Sequence, residues 1–233
     1  MSWTRAPAAE VRAAIATAWL GARERPTVGT IALHPHQRTA AARLRTMLDA
    51  HGGALLADPV GLGKTYAALA AVRDATRLVV VAPAALREMW TGALSAVGMH
   101  AEFLSYHALS LGQAGPPEPD VVIADESHHV RNPATRRYAA LARLSANARL
   151  LLISATPIHN RLDDLRGQLA LFLGQRAWTM PERYLARYLV KRDTIASGGE
   201  FTAPALPPVV NVQWMEIGDD AAVLPDIMSL PAP

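Results

Sequence analysis

Hydrophobic positions along the chain fall into short continuous runs separated by longer segments with helical spacing. Residues 8–20 and 37–50 carry apolar residues at helical intervals, which predicts helices. "GALLA" (53–57) reads as a short buried strand, followed by a Gly-punctuated turn and a helix from Lys64 to about Asp74. "RLVVVA" (77–82) is β-branched and strand-like, and Pro83 stands near the start of a helix through Val97. "AEFLS" (101–105), "DVVIAD" (120–125) and "RLLLISA" (149–155) are further strands, with a loop at 112–119. Helices are expected over 133–146 and 161–173. Strands that are apolar throughout, alternating with helices, predict a parallel sheet covered on both faces. The expected fold is therefore α/β: three layers, a mostly parallel sheet, helices on either side. Past Met180 the pattern weakens: "VNVQW" (210–214) is one more strand candidate, and the Pro-rich end (224–233) reads as loose.

Composition narrows the class. At 233 residues and 51% hydrophobic, the chain is long enough to bury a proper core. A formal net charge of +3 does not by itself declare a nucleic-acid partner. The absence of Cys excludes disulfides and Cys-based zinc sites. No apolar run is long enough to span a bilayer, and the N-terminus lacks the order of a signal peptide. The expectation is a cytoplasmic protein with no membrane partner. Of 23 Lys+Arg, only Lys64 and Lys191 are lysines. A lysine retained in such an Arg-rich chain is suspect of a task that suits a compact ammonium, such as sitting among phosphates.

Three segments carry chemistry, each after an apolar strand. In "DPVGLGKT" (58–65), Gly63, Lys64 and Thr65 fit the end of the phosphate-loop pattern G-x-x-x-x-G-K-[ST], with Asp58 at its first Gly position. Backbone N–H groups at the helix start would cradle phosphates, Lys64 would neutralise them, and the Thr65 hydroxyl would bind Mg²⁺. The alternative is a Gly-rich turn that happens to contain Lys-Thr. In "DESHH" (125–129), Asp125 and Glu126 stand at a strand end, where open α/β sheets bind ligands. Asp125 would hold magnesium, largely through water, and Glu126 would orient and deprotonate an attacking water. The alternative is an acidic loop that caps the next helix. In "SATPIHN" (154–160), the hydroxyls of Ser154 and Thr156 would relay between the acidic site and something bound elsewhere; the alternative is a polar strand end.

In this order the three segments resemble motifs I, II and III of the superfamily-two helicases. Finer text resembles the Swi/Snf-type branch: "LHPHQRTAAARL" before the loop, "VVVAPAALREMW", "LSYHAL", "DESHHVRN" and "RYLVKRD…LPPVV". The resemblance covers roughly residues 31–216 and implies a RecA-like ATP-binding lobe, with 1–30 as an N-terminal helical extension and 217–233 as a tail or linker start. It implies ATP and Mg²⁺ as cofactors, with Gln37 reading adenine and Asp58, Pro59, Val60, Gly61, Leu62, Gly63, Lys64 and Thr65 around the phosphates. Lys64 and Glu126 would be catalytic, and Thr65 and Asp125 would hold the metal. His128, Ser154 and Thr156 would couple nucleotide state to DNA. Pro83, Ser105, Tyr106 and Asn160 would touch double-stranded DNA backbone, a packing role being the alternative for each. The Arg-rich face of Arg131, Arg136 and Arg137 would meet phosphate or simply solvent. Pro59 departs from the family's usual Glu, and Ser127 from its usual Ala. Such motors use a second RecA-like lobe that supplies arginine fingers. No finger-like pattern occurs here, and no Arg or Lys follows Arg192. The expectation is one lobe that needs a partner lobe in cis or trans; the alternative is a non-catalytic module that binds nucleotide, DNA or protein.

Overall fold

The computed structural model describes residues 25–113, 115–158 and 161–191. The expected helix at 8–20, the strand candidate at 210–214 and the Pro-rich tail lie outside the described residues. A two-stranded antiparallel hairpin opens the described chain, β1 (Thr27–Val28) and β2 (Ile31–Ala32). Val28 is buried in the core. A Cβ at Gly29 would lie 2.4 Å from the Val97 carbonyl oxygen, so the hairpin turn sits flush against the body of the domain.

Helix α1 (Pro35–His51) begins with Pro at its first position, where no N–H is needed, and ends on Gly52 in the left-handed conformation. Strand β3 (Gly53–Leu56) leads through a loop into α2 (Lys64–Ala71). Strand β4 (Leu78–Ala82), a 3₁₀ turn and α3 (Arg87–Val97) follow, then β5 (Glu102–Ser105) and the short α4 (Tyr106–Ser110). Strand β6 (Val121–Asp125), a 3₁₀ turn (Ser127–Val130), α5 (Arg136–Leu144) and β7 (Arg149–Ile153) come next. Helix α6 (Leu162–Leu173), the short α7 (Arg176–Thr179) and α8 (Glu182–Leu185), a 3₁₀ turn (Ala186–Tyr188) and strand β8 (Leu189–Val190) complete the described order.

Strands β3 to β8 form one six-stranded sheet in the order β5-β4-β6-β7-β3-β8, and every pairing is parallel. The expected mostly parallel sheet is therefore observed. Because side chains alternate along a strand, each strand feeds two cores. Leu56, Val80, Ile123, Leu151 and Ile153 pack on one face with Leu44, Leu69, Trp90 and Leu94 of α1, α2 and α3. Leu55, Val79, Val81, Val122, Leu150 and Leu152 pack on the other with Leu141 of α5 and Leu165 and Leu169 of α6. This is the three-layer arrangement of a RecA-like domain. It leaves the C-terminal ends of β3, β6 and β7 side by side along one edge of the sheet, with the three expected loops on them.

Candidate functional site

The loop after β3 (58–63) owes its shape to two glycines. Gly61 and Gly63 have φ of 87° and 69°, a region where side-chain-bearing residues are strained. Gly63 is the N-cap of α2 and offers no capping side chain, so the first N–H groups of α2 face out toward the loop. Asp58 is fully buried at the start of the loop and is the charge that offsets the burial of Arg43 on α1. Lys64 Nζ donates to the Pro59 carbonyl at 3.0 Å, closing the loop on itself. Thr65 Oγ1 lies 3.8 Å from Met89 Sδ. Val60 is the most exposed of the large apolar residues described, at 81%.

Gln37 braces this loop from α1. Its Oε1 accepts the His34 N–H at 2.9 Å, and its Nε2 donates to the Leu62 and Gly63 carbonyls at 3.4 and 3.3 Å. A Cβ at Gly63 would stand 2.1 Å from Gln37 Nε2, so any other residue here would push the Gln37 carboxamide off the loop.

The second loop starts with a carboxylate held firmly in place. Asp125 is 7% exposed. Its Oδ2 accepts the Trp90 indole N–H at 3.0 Å, and its Oδ1 accepts the Glu126 N–H at 2.9 Å. Burial pushes the Asp125 carboxyl above the usual range, against the pull of those two donors; Glu126 adds to the rise and Lys64 opposes it. Lys64 is thus close enough to be felt across the two loops. Glu126 adopts φ 53°, uncommon for a residue with a Cβ. His128 Nδ1 lies 3.2 Å from Glu126 Oε2, in a geometry short of a hydrogen bond. The His128 and His129 rings lie 4.5 Å apart, and burial followed by the neighbouring His128 lowers His129.

At the start of the third loop the β3–β7 ladder runs on by one bond: the Ser154 N–H donates to the Leu56 carbonyl at 3.0 Å. Ser154 is fully buried and its Oγ accepts the Thr156 N–H at 3.2 Å, while Thr156 itself is exposed.

The DNA-contact candidates divide. Tyr106 is buried, and its hydroxyl donates to the Asp125 carbonyl at 2.8 Å. Burial, then the charges of Asp125 and Glu126, push its hydroxyl well above the ordinary phenol range. Tyr106 thus supports the acidic strand from below. Ser105 caps α4 by accepting the Ala108 N–H at 3.0 Å. Pro83 is half-buried at the C-terminal end of β4, and Asn160 lies outside the described residues. Beside the acidic loop opens a cleft of about 620 Å³, lined among others by His128, Arg131, Arg137, Arg161 and Trp178.

Sequence reading missed two contributors. Trp90 is fully buried, and a buried indole N–H needs an acceptor, which Asp125 supplies. Gln168 is fully buried between Leu165 and Leu169 on α6. A polar residue on the apolar stripe of that helix was the available signal. Among the described residues no group of three His, Cys, Asp or Glu could hold a metal alone.

Comparison with known proteins agrees with this layout. The SNF2-related domain family matches residues 102–197, which takes in the second and third loops. An uncharacterized ATP-dependent helicase, YqhH of Bacillus subtilis (strain 168), is 28% identical over 156 residues, covering 56% of this chain and 28% of that protein. The SWI/SNF-related matrix-associated actin-dependent regulator of chromatin subfamily A-like protein 1 of Xenopus tropicalis is 32% identical over 144 residues, covering 51% of this chain and 15% of that protein. The chain thus spans less than a third of these curated relatives. Among solved structures, the Sulfolobus solfataricus SWI2/SNF2 ATPase core in complex with dsDNA superposes with a TM-score of 0.62 at 19% identity, over 72% of this chain and 46% of that one. The same ATPase core domain in a second structure gives 0.58 at 21% identity, over 72% and 45%. Residues 102–197 thus match the SNF2-related domain family, and the fold of the described chain is that of one RecA-like lobe, as in the SWI2/SNF2 ATPase core.

Proposed function

We propose that this lobe binds ATP with Mg²⁺ in the loop after β3 and contributes the water-activating carboxylate of a DNA-dependent ATPase that works on double-stranded DNA. The observation that supports it best is the glycine-shaped loop opening onto the uncapped start of α2, with Lys64 at that start and Asp125 within its electrostatic reach. The residues fit the cofactor. Left-handed Gly61 has open space around it, and backbone N–H groups at a helix N-terminus suit phosphate. One carboxylate and one hydroxyl, Asp125 and Thr65, suit Mg²⁺, which keeps waters and shares substrate phosphates rather than demanding an all-protein cage. Bound there, the metal neutralises charge on the phosphate oxygens.

The chain's own residues would then act as follows. The first N–H groups of α2 hold phosphate oxygens. Lys64 exchanges the Pro59 carbonyl for a phosphate oxygen. Gln37 stands at the edge of the loop, and its carboxamide must leave the Leu62 and Gly63 carbonyls to read a base. Glu126, on its left-handed turn, takes a proton from the attacking water. His128, beside Glu126, and Ser154 and Thr156 on the next strand end would pass the nucleotide state toward DNA backbone bound near Pro83, Ser105 and Asn160. Residues 31–216 would form the lobe, flanked by the extension at 1–30 and the tail or linker at 217–233, and a second RecA-like lobe would supply the arginine fingers.

Phosphate release from a two-lobe assembly, with and without duplex DNA, tests this reading. DNA should stimulate turnover, and Glu126→Gln should slow it by roughly 10²- to 10⁴-fold while ATP stays bound. Parental turnover by Glu126→Gln would place the base elsewhere.

A further inference from the structure

Gln168 joins the two loops that the proposed function asks to communicate. Ser127, between Glu126 and His128, is fully buried, and its Oγ donates to Gln168 Oε1 at 2.7 Å. Gln168 is equally buried, and its Nε2 donates to the Pro157 carbonyl at 2.7 Å and the Asp164 carbonyl at 2.9 Å. Both amide hydrogens and one lone pair of the carboxamide are therefore used. One end of the side chain holds the acidic loop. The other end holds the loop that contains Ser154 and Thr156.

The helix carrying Gln168 is pressed against the acidic loop. A Cβ at Gly167 would lie 2.0 Å from the Arg131 carbonyl oxygen, so the backbones meet where only glycine fits. Arg131 Nε lies 3.5 Å from Asp164 Oδ1, and another of its guanidinium nitrogens donates to the His128 carbonyl at 3.0 Å. A shift of the acidic loop is thus felt by α6. Through Gln168 Nε2 it is felt at Pro157, one residue from Thr156. A buried carboxamide that loses one partner is left unsatisfied, so separating the loops is opposed.

We propose that Gln168 is a positioning residue, a buried strut that ties the acidic loop through Ser127 to the Ser-Ala-Thr loop through the Pro157 carbonyl, so that the two loops move together when nucleotide binds. The part concerning nucleotide rests on the ATP-binding reading; the tie between the loops does not.

Amide hydrogen exchange on the full chain tests it, with the double variant Ser127→Ala/Gln168→Leu, which removes both partners of the Ser127–Gln168 bond together and takes the side-chain donor from the Pro157 carbonyl. Without nucleotide, the Ala155, Thr156 and Ile158 amides of the variant should exchange about tenfold faster than in the parent, as for the loss of one buried hydrogen bond. Amides within β3 and β6 should be unchanged, which a general loosening of the fold would not leave so. With Mg-ATP, residues 126–131 should become protected in both proteins, but 154–158 in the parent alone. Parental exchange at 154–158 in the variant, or equal protection of that segment by nucleotide, overturns the strut. If the parent binds no nucleotide, the ATP reading fails and the nucleotide-free comparison still decides the strut. Should the double variant unfold, Ser127→Ala, which removes a single oxygen, carries the same comparison.

Discussion

Asp120 stands just before β6, at the sheet edge opposite the three loops. The Thr76 hydroxyl, the Arg77 N–H, the Arg77 guanidinium and the Thr76 N–H all donate to it. These bonds, the Thr76 hydroxyl foremost, hold its carboxyl far below the usual range. A carboxylate lowered by folding contributes stability that is fully present above its unfolded pKa of about 3.9 and is lost as pH falls through the folded value. Thermal unfolding of Asp120→Asn should therefore show a lower Tm than the parent at neutral pH, and the gap should close only below about pH 4. A gap that closed between pH 8 and 5 would contradict this. Gly63 gives a second expectation at this scale. Gly63→Ala adds a Cβ at φ 69° against Gln37, so it should displace the brace, weaken Mg-nucleotide binding and, through the strained φ, lower Tm by about 2–4 °C or more; unchanged affinity by calorimetry would contradict it. The candidate residues with a local signature are legible in the sequence: Lys64 among arginines, Gly63 before it, Asp125-Glu126 after a strand. The pairs Trp90–Asp125 and Ser127–Gln168 are not, because 35 and 41 residues separate the partners and only tertiary packing brings them together.

Helix α6 and the acidic loop meet backbone to backbone at Gly167. Gly167→Ala must push the helix off Arg131 or bend the loop. Overpacking of this kind destabilises by about 1–3 kcal/mol, even though Ala is the better helix former. Urea unfolding reads it as a lower midpoint with an unchanged slope; a higher midpoint would mean that the helix slides without resistance. At this scale the strands were the most legible elements. The run expected at 53–57 is observed at Gly53–Leu56, and that at 120–125 at Val121–Asp125. Buried parallel strands are apolar at every position, which marks them plainly. The helix expected to reach Asp74 stops at Ala71, where Val72 leaves helical geometry and its carbonyl accepts the Ala75 N–H in a turn. Strands β1, β2 and β8 have two residues each, too few for any period to show. Strand β8 exists because it pairs with the open edge of β3, a fact of topology rather than of local sequence.

Taken whole, the molecule presents one sheet edge with a phosphate-type loop, an acidic strand end and a hydroxyl loop in register. The central strand ends of the doubly wound sheet bring together residues nearly a hundred positions apart. Charge on a transferred phosphoryl group needs more than Lys64 and magnesium; an arginine finger adds about 10³- to 10⁵-fold in related loop ATPases. The 233-residue chain alone should therefore release phosphate barely above background, with or without duplex DNA, and a matching second lobe should restore DNA-stimulated turnover. Robust stimulated release from the chain alone would mean that self-association supplies a finger. The claim beneath all of these is that nucleotide sits in the loop after β3, and calorimetric titration of Mg-ATP into the parent and Lys64→Ala tests it most directly. The account predicts a saturable heat for the parent that is absent from a folded Lys64→Ala; equal affinity in the two proteins would contradict it.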